Sequence, residues 1–205
     1  MKAWRCGALL GAALLAGCQP SDPAALEAAM RAHLAVRGQL CLAQQRWPID
    51  VTPRETELRA RNALQLPVLE RLGLVQSTEV VLEAGEGPRA GGATVRRYVL
   101  TAQGRVFYIE RPMPDGGADA PPVHDFCPVR LRLLRVVQQV LGTDDAGRRR
   151  ALLHYTYEVD APAWTGDAEL QRVFPVIAGV IRGAGTAQLQ QAFVRSETGW
   201  IAAAL

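Results

Sequence analysis

Eleven apolar residues behind two positive charges decide how much of this chain is available to fold. Met1-Lys2-Ala3-Trp4-Arg5 leads into Cys6 to Ala16, CGALLGAALLA, and Gly17-Cys18 follows. A charged start, a short apolar run and small residues at its end make the pattern of an export signal. A helix needs roughly 20 apolar residues to cross a bilayer, so this run predicts no transmembrane anchor.

Leu15-Ala16-Gly17-Cys18 resembles the lipobox of bacterial lipoproteins. The resemblance covers only the start of the chain. It implies that residues 1–17 are a lipoprotein signal peptide, cut off before Cys18, and that the Cys18 sulfur carries a diacylglycerol. Small side chains at Ala16 and Gly17 suit a narrow peptidase cleft, and a thiol is the nucleophile that accepts the lipid. Members of the family carry up to three acyl chains, and more than one chain makes anchoring stable. An aspartate after the cysteine tends to retain such proteins in the inner membrane. Gln19 stands there instead, so the resemblance implies a lipid anchor on the periplasmic face of the outer membrane, with the inner membrane as the alternative.

Removing residues 1–17 from the 205 leaves 188, enough for one core or two small ones. Lys2 and Arg5 leave with the signal, so 21 basic residues then face 20 acidic ones. A balance that close to neutral argues against a nucleic-acid or anionic-surface binder driven by bulk charge. With Cys6 removed and Cys18 lipidated, Cys41 and Cys127 remain. An oxidising periplasm favours a disulfide between them, two separate buried thiols being the alternative. No C-x-x-C, H-E-x-x-H or Asp-rich loop marks a metal site.

Residues 18–23 read as a polar tether, with Asp22 or Ser21 as a cap and Pro23 in a first helical turn. Leu26, Met30, Leu34, Leu40 and Cys41 predict a helix over 24–45, weakest at Gly38. Residues 47–51 read as an extended linker before a second helical region over 53–72, divided by Pro67 and closed by Gly73. Strands are predicted over 79–83, 94–100 and 105–110. Four prolines and two glycines in 111–123 mark a linker between a helical subdomain (24–111) and an antiparallel one (124–205). In the latter, 129–159 reads as a hairpin, because Tyr155, Tyr157 and Val159 alternate with His154, Thr156 and Glu158. A helix capped by Asp167 and strands over 187–195 and 200–204 complete a four-stranded sheet. The fold class expected is α+β.

Leu69 to Val75, a glycine-rich loop and Arg97 to Arg105 resemble a winged helix over 54–110. That resemblance implies a shape and no DNA binding: Arg54, Arg59 and Arg61 are offset by Glu55 and Glu57, and the wing carries Glu83 and Glu86 beside Arg89. Gly85 to Ala90 fits G-x-G-x-x-G/A on paper, but a strand follows where a phosphate-binding helix would be needed. The histidines are His33, His124 and His154, and nothing like G-x-S-x-G supplies a nucleophile for them. Tyr155, Tyr157, Trp164, Phe174, Phe193 and Trp200 read as core, or else as the lining of a ligand groove.

No catalytic, metal or cofactor constellation is present in the sequence. The C-terminal half resembles proteobacterial lipoproteins without an assigned activity. The expectation is a membrane-anchored, non-enzymatic binding or assembly module with an envelope protein, peptide or glycan as partner and no nucleic acid. The alternative is an envelope hydrolase using His124 or His154.

Overall fold

A computed structural model describes residues 22–82, 92–111 and 121–203. The signal segment, Cys18, the wing tip and most of the proline-rich stretch lie outside these residues. The architecture is α+β, with every strand pairing antiparallel.

The first helix, α1 (Asp22–Arg37), has Pro23 in its opening turn and ends before Gly38. A side chain at Gly38 would meet the Leu34 and Leu131 carbonyl oxygens at 2.4 and 2.7 Å. Only glycine permits that approach, so the helix stops there. The chain instead forms β1 (Gln39–Leu40), then β2 (Ile49–Val51) within the expected linker. The helical region after it divides at residues 58–60 rather than at Pro67. α2 (Pro53–Glu57) opens on a Thr52–Glu55 capping box, and Arg59 turns the chain at a φ of 52°. Pro67 sits inside α3 (Arg61–Arg71), at an exposed position where one lost backbone hydrogen bond is tolerated.

β3 (Val75–Val81) and β4 (Thr94–Leu100) form a seven-residue ladder, and β2 pairs on the far side of β4. The strand expected over 105–110 starts three residues late, at Tyr108. Thr101 caps a helical turn, α4 (Ala102–Arg105), by accepting from the Gly104 N–H at 3.1 Å. β5 (Tyr108–Arg111) then pairs with β6 (Val123–Phe126) instead of joining the β3–β4 hairpin.

The main sheet has five strands where the sequence suggested four. β7 (Val129–Thr143), β8 (Arg149–Asp160), β9 (Gln188–Ser196) and β10 (Gly199–Ala203) follow in order, and β1 adds to the β7 edge. Between β8 and β9 lie a 3-10 turn (Ala163–Gly166), α5 (Ala168–Val173) and α6 (Pro175–Gly183). Asp167 caps α5 as expected, accepting from the Leu170 N–H at 2.9 Å, and Pro175 separates the two helices.

Two cores result, and each draws on both sides of the proline-rich stretch. α1 lays Leu26, Met30 and Leu34 on the sheet face that carries Leu133, Leu153, Tyr155, Tyr157, Phe193 and Trp200. Burying three such side chains contributes roughly 6 kcal/mol. In the other core, Leu66, Leu69, Leu74 and Tyr98 pack with Phe126, with Leu170 of α5, with Ile177 of α6 and with Phe174 between them.

Candidate functional site

A disulfide joins Cys41 to Cys127 and ties the segment after β1 to the end of β6. Backbone hydrogen bonds reinforce it, from Leu42 N–H to the Phe126 carbonyl and from Cys127 N–H to the Phe107 carbonyl, both at 2.8 Å. Beside it stands Asp125, whose side chain has no solvent exposure. A buried carboxylate must be neutralised and hydrogen-bonded. Its Oδ1 accepts from the Gln44 and Phe126 N–H groups at 2.9 and 2.8 Å, and its Oδ2 from Arg111 Nη2 at 3.0 Å. Disulfide and carboxylate together hold the backbone at residues 41–44.

That segment forms one wall of an open cleft of about 620 Å³, whose other wall is the α2–α3 corner. Gln44 is 3 % exposed. Its Nε2 donates to Asn62 Oδ1 and to Gln65 Oε1, each at 3.2 Å. Gln65 Nε2 donates in turn to the Val173 carbonyl at 3.0 Å, which ties this floor to α5. Arg61 bonds Gln65 Oε1 through Nε at 3.1 Å and the Leu42 carbonyl through Nη2. At the rim, Asp50 holds Arg97 bidentately at 2.7 and 2.8 Å, with Gln45, Arg46 and Glu55 around the mouth. The cleft is thus a fixed polar surface that offers hydrogen bonds to a ligand. None of the described residues that line it is a serine, threonine or cysteine. A smaller, more apolar hollow of about 350 Å³ lies between α2–α3 and the β2–β4 pair, lined by Val51, Pro53, Ala63, Pro67 and Tyr98.

The three histidines stand apart. His33, on α1, meets Phe193 edge-on at 6.3 Å. Burial, and then the charge of Arg37, push its pKa below the usual histidine value. His124 stacks against Tyr108 at 5.4 Å, half exposed, with Nε2 4.0 Å from Glu110. It and Asp125 are neighbours in sequence but point to opposite faces of β6, as successive strand residues must. His154, on β8, faces the Gln190 amide at 3.5 Å. Ser77 is held by Glu70, at 2.7 and 2.8 Å through N–H and Oγ, and Ser196 donates to the Gly199 carbonyl. Among the described residues neither His124 nor His154 hydrogen-bonds to a serine, threonine or cysteine side chain.

The aromatic set is divided between the cores. Tyr155, Tyr157, Phe193 and Trp200 lie under α1, whereas Phe174 and Trp164 belong to the other core, with Trp164 edge-on to Phe107 at 5.3 Å. Cys18 and the Gly85–Ala90 loop fall outside the described residues. Sequence reasoning missed the Gln44–Asn62–Gln65–Arg61 network. Gln44 lay in a stretch read as helix, and long-range contacts, the Cys41–Cys127 disulfide and the bond from the Gln44 N–H to Asp125, carry it to the foot of α3. No family model matches the chain, and no curated protein or solved structure matches it significantly.

Proposed function

We propose that the chain is an envelope lipoprotein, anchored by acyl chains on Cys18, that acts as a non-enzymatic binding module. Its ligand is an envelope protein, peptide or glycan, taken up at the polar cleft. The observation that carries the binding reading is the cleft itself: an open concave surface lined by Gln44, Gln45, Arg46, Asp50, Arg61 and Asn62 and held from behind by the buried Gln44–Gln65 amide pair. Preorganised donors and acceptors of that kind recognise a polar partner at low ordering cost. The disulfide supports an oxidising compartment, and the lipobox resemblance supplies the outer-membrane address. The order β2–β4–β3 behind α2–α3 supports the winged-helix-like shape, used here as a scaffold for the cleft wall.

The test is a mass map of protein extracted from isolated membranes, joined to cross-linking from the cleft. An acylated N-terminal Cys18 peptide is expected. A photoreactive residue at Gln45, on the cleft rim, is expected to give an envelope adduct that the same residue at exposed Leu58 does not. An intact Met1 overturns the lipoprotein reading, and equal adducts from both positions overturn the cleft.

A further inference from the structure

Antiparallel register brings one end of the main sheet together from four strands. Thr143 faces Arg149, Arg150 faces Val194, and Gly199 faces Ser196, so the β7–β8 and β9–β10 turns share that end. The C-terminal end of α1 lies at the opposite end, where Gly38 packs against Leu131. The helix contacts both β7 and β10, and Leu26 shares a core with Ala151 and Trp200. Its N-terminus is therefore directed to the end that carries the two turns.

This placement limits where a lipid on Cys18 can be. Four residue steps separate Cys18 from Asp22, and at full extension they reach about 14 Å. The 15 residues of β7, interrupted by two shifts of register, reach at most roughly 45 Å. A tether that short brings the turn-bearing end to the bilayer and leaves the disulfide and the cleft far from it.

The surface at that end suits such a neighbour. Leu141 and Ile201 are 53 % and 56 % exposed, and Val140 is 45 % exposed. The register puts Leu141, Arg149, Arg195 and Trp200 on the face that α1 covers, and Val140, Arg150 and Ile201 on the other, with Asp144, Asp145 and Glu197 as the acidic residues of the two turns. Asp144 is already taken by Arg148 at 2.8 Å. Arg149 and Arg195 both lie over the Trp200 ring, at 5.8 and 5.6 Å. An exposed apolar side chain beside arginine on each face of the sheet end, with an aromatic ring beneath two of the arginines, matches the chemistry of an interfacial lipid contact in which the strand ends dip into the headgroups.

We infer that this end of the sheet, with Leu141 on one face, Ile201 on the other and the arginines around Trp200 between the strand ends, meets the phospholipid surface end-on and holds the cleft pointing away from it. The inference depends on the lipid attachment proposed above. The bilayer that receives the acyl chains is the occupant of this surface, so anchor and contact act together and fix the orientation of the domain.

The experiment uses the full chain, made in cells, extracted with its acyl chains and reconstituted into vesicles of phosphatidylethanolamine and phosphatidylglycerol. The vesicles contain a diazirine-bearing phospholipid, and adducts are mapped by mass spectrometry after photolysis. The expected adducts lie in peptides covering 137–150 and 195–203, about tenfold above those covering 105–111 and 123–130. A Leu141→Asp/Ile201→Asp variant, altered only at exposed positions, is expected to lose most of that excess with an unchanged thermal midpoint. An acylated Cys18 with adducts spread evenly, or concentrated on 123–130, overturns the orientation and leaves the anchor standing. A Cys18 peptide without acyl chains overturns both. A double variant that labels like the parent overturns the assignment of these side chains.

Discussion

Replacing Asp125 by asparagine tests how the disulfide-linked corner is held. The substitution keeps the shape, and Oδ1 still accepts from the Gln44 and Phe126 N–H groups. What is lost is the charge facing Arg111, whose side chain is 17 % exposed. The new amide N–H₂ also points donors at a donor. Leaving one member of a buried ion pair without its partner costs about 3–5 kcal/mol, and the residual solvent access of Arg111 places this case near 3 kcal/mol. For a chain of this size that is a fall in thermal midpoint of roughly 9 °C. Urea unfolding followed by tryptophan fluorescence, with the disulfide intact, measures the change. Adding Arg111→Met removes the stranded charge as well, and the double variant is expected within about 1 kcal/mol of the parent. Stability of the single variant within about 0.5 kcal/mol of the parent would falsify the claim that Arg111 depends on this carboxylate. So would a double variant as unstable as the single one.

Two further outcomes are expected. The disulfide closes a sequence separation of 86 residues, for which the chain-entropy model gives about 4.6 kcal/mol; Cys41→Ala/Cys127→Ala is expected to lose about that much in urea unfolding, and a loss under about 1 kcal/mol would show that the open chain keeps this corner closed without the bond. Burial and Arg37 hold the His33 pKa below 6.5 in the folded state, so the unfolded chain takes up a proton first as the pH falls. Stability from this group is therefore complete above about pH 6.5 and drains away as the pH falls below it. His33→Phe is expected to flatten the fall in stability between about pH 7 and pH 5, and an unchanged slope would remove His33 as its source.

Features that depend on near neighbours in the chain were legible in the sequence. The Leu26, Met30 and Leu34 stripe made α1 amphipathic, and Asp167 announced the start of α5. The alternation through Tyr155, Tyr157 and Val159 marked β8, and Glu197-Thr198-Gly199 marked the turn between β9 and β10. The α+β class followed from these. So did the candidate disulfide, because only two cysteines remained to pair after the first eighteen residues. The corrections arose where a distant contact outweighed a local preference. Pro67 read as a helix break, yet the helix continues through it and the chain breaks at Arg59. Residues 39–40 read as helix, but Gly38 allows backbone contact with Leu131, and β7 captures them as an edge strand.

Covalent order and periods of two to four residues set the charge balance, the export pattern and the faces of individual helices and strands. Only the tertiary structure decided how those faces were shared out. α1 went to the C-terminal sheet, α5 and α6 to the other core, and Gln44 to the floor of the cleft through Asp125, 81 residues away. Apolar faces of similar width are interchangeable until packing density and hydrogen-bond satisfaction select one arrangement, and that selection is made between parts of the chain that no local pattern connects.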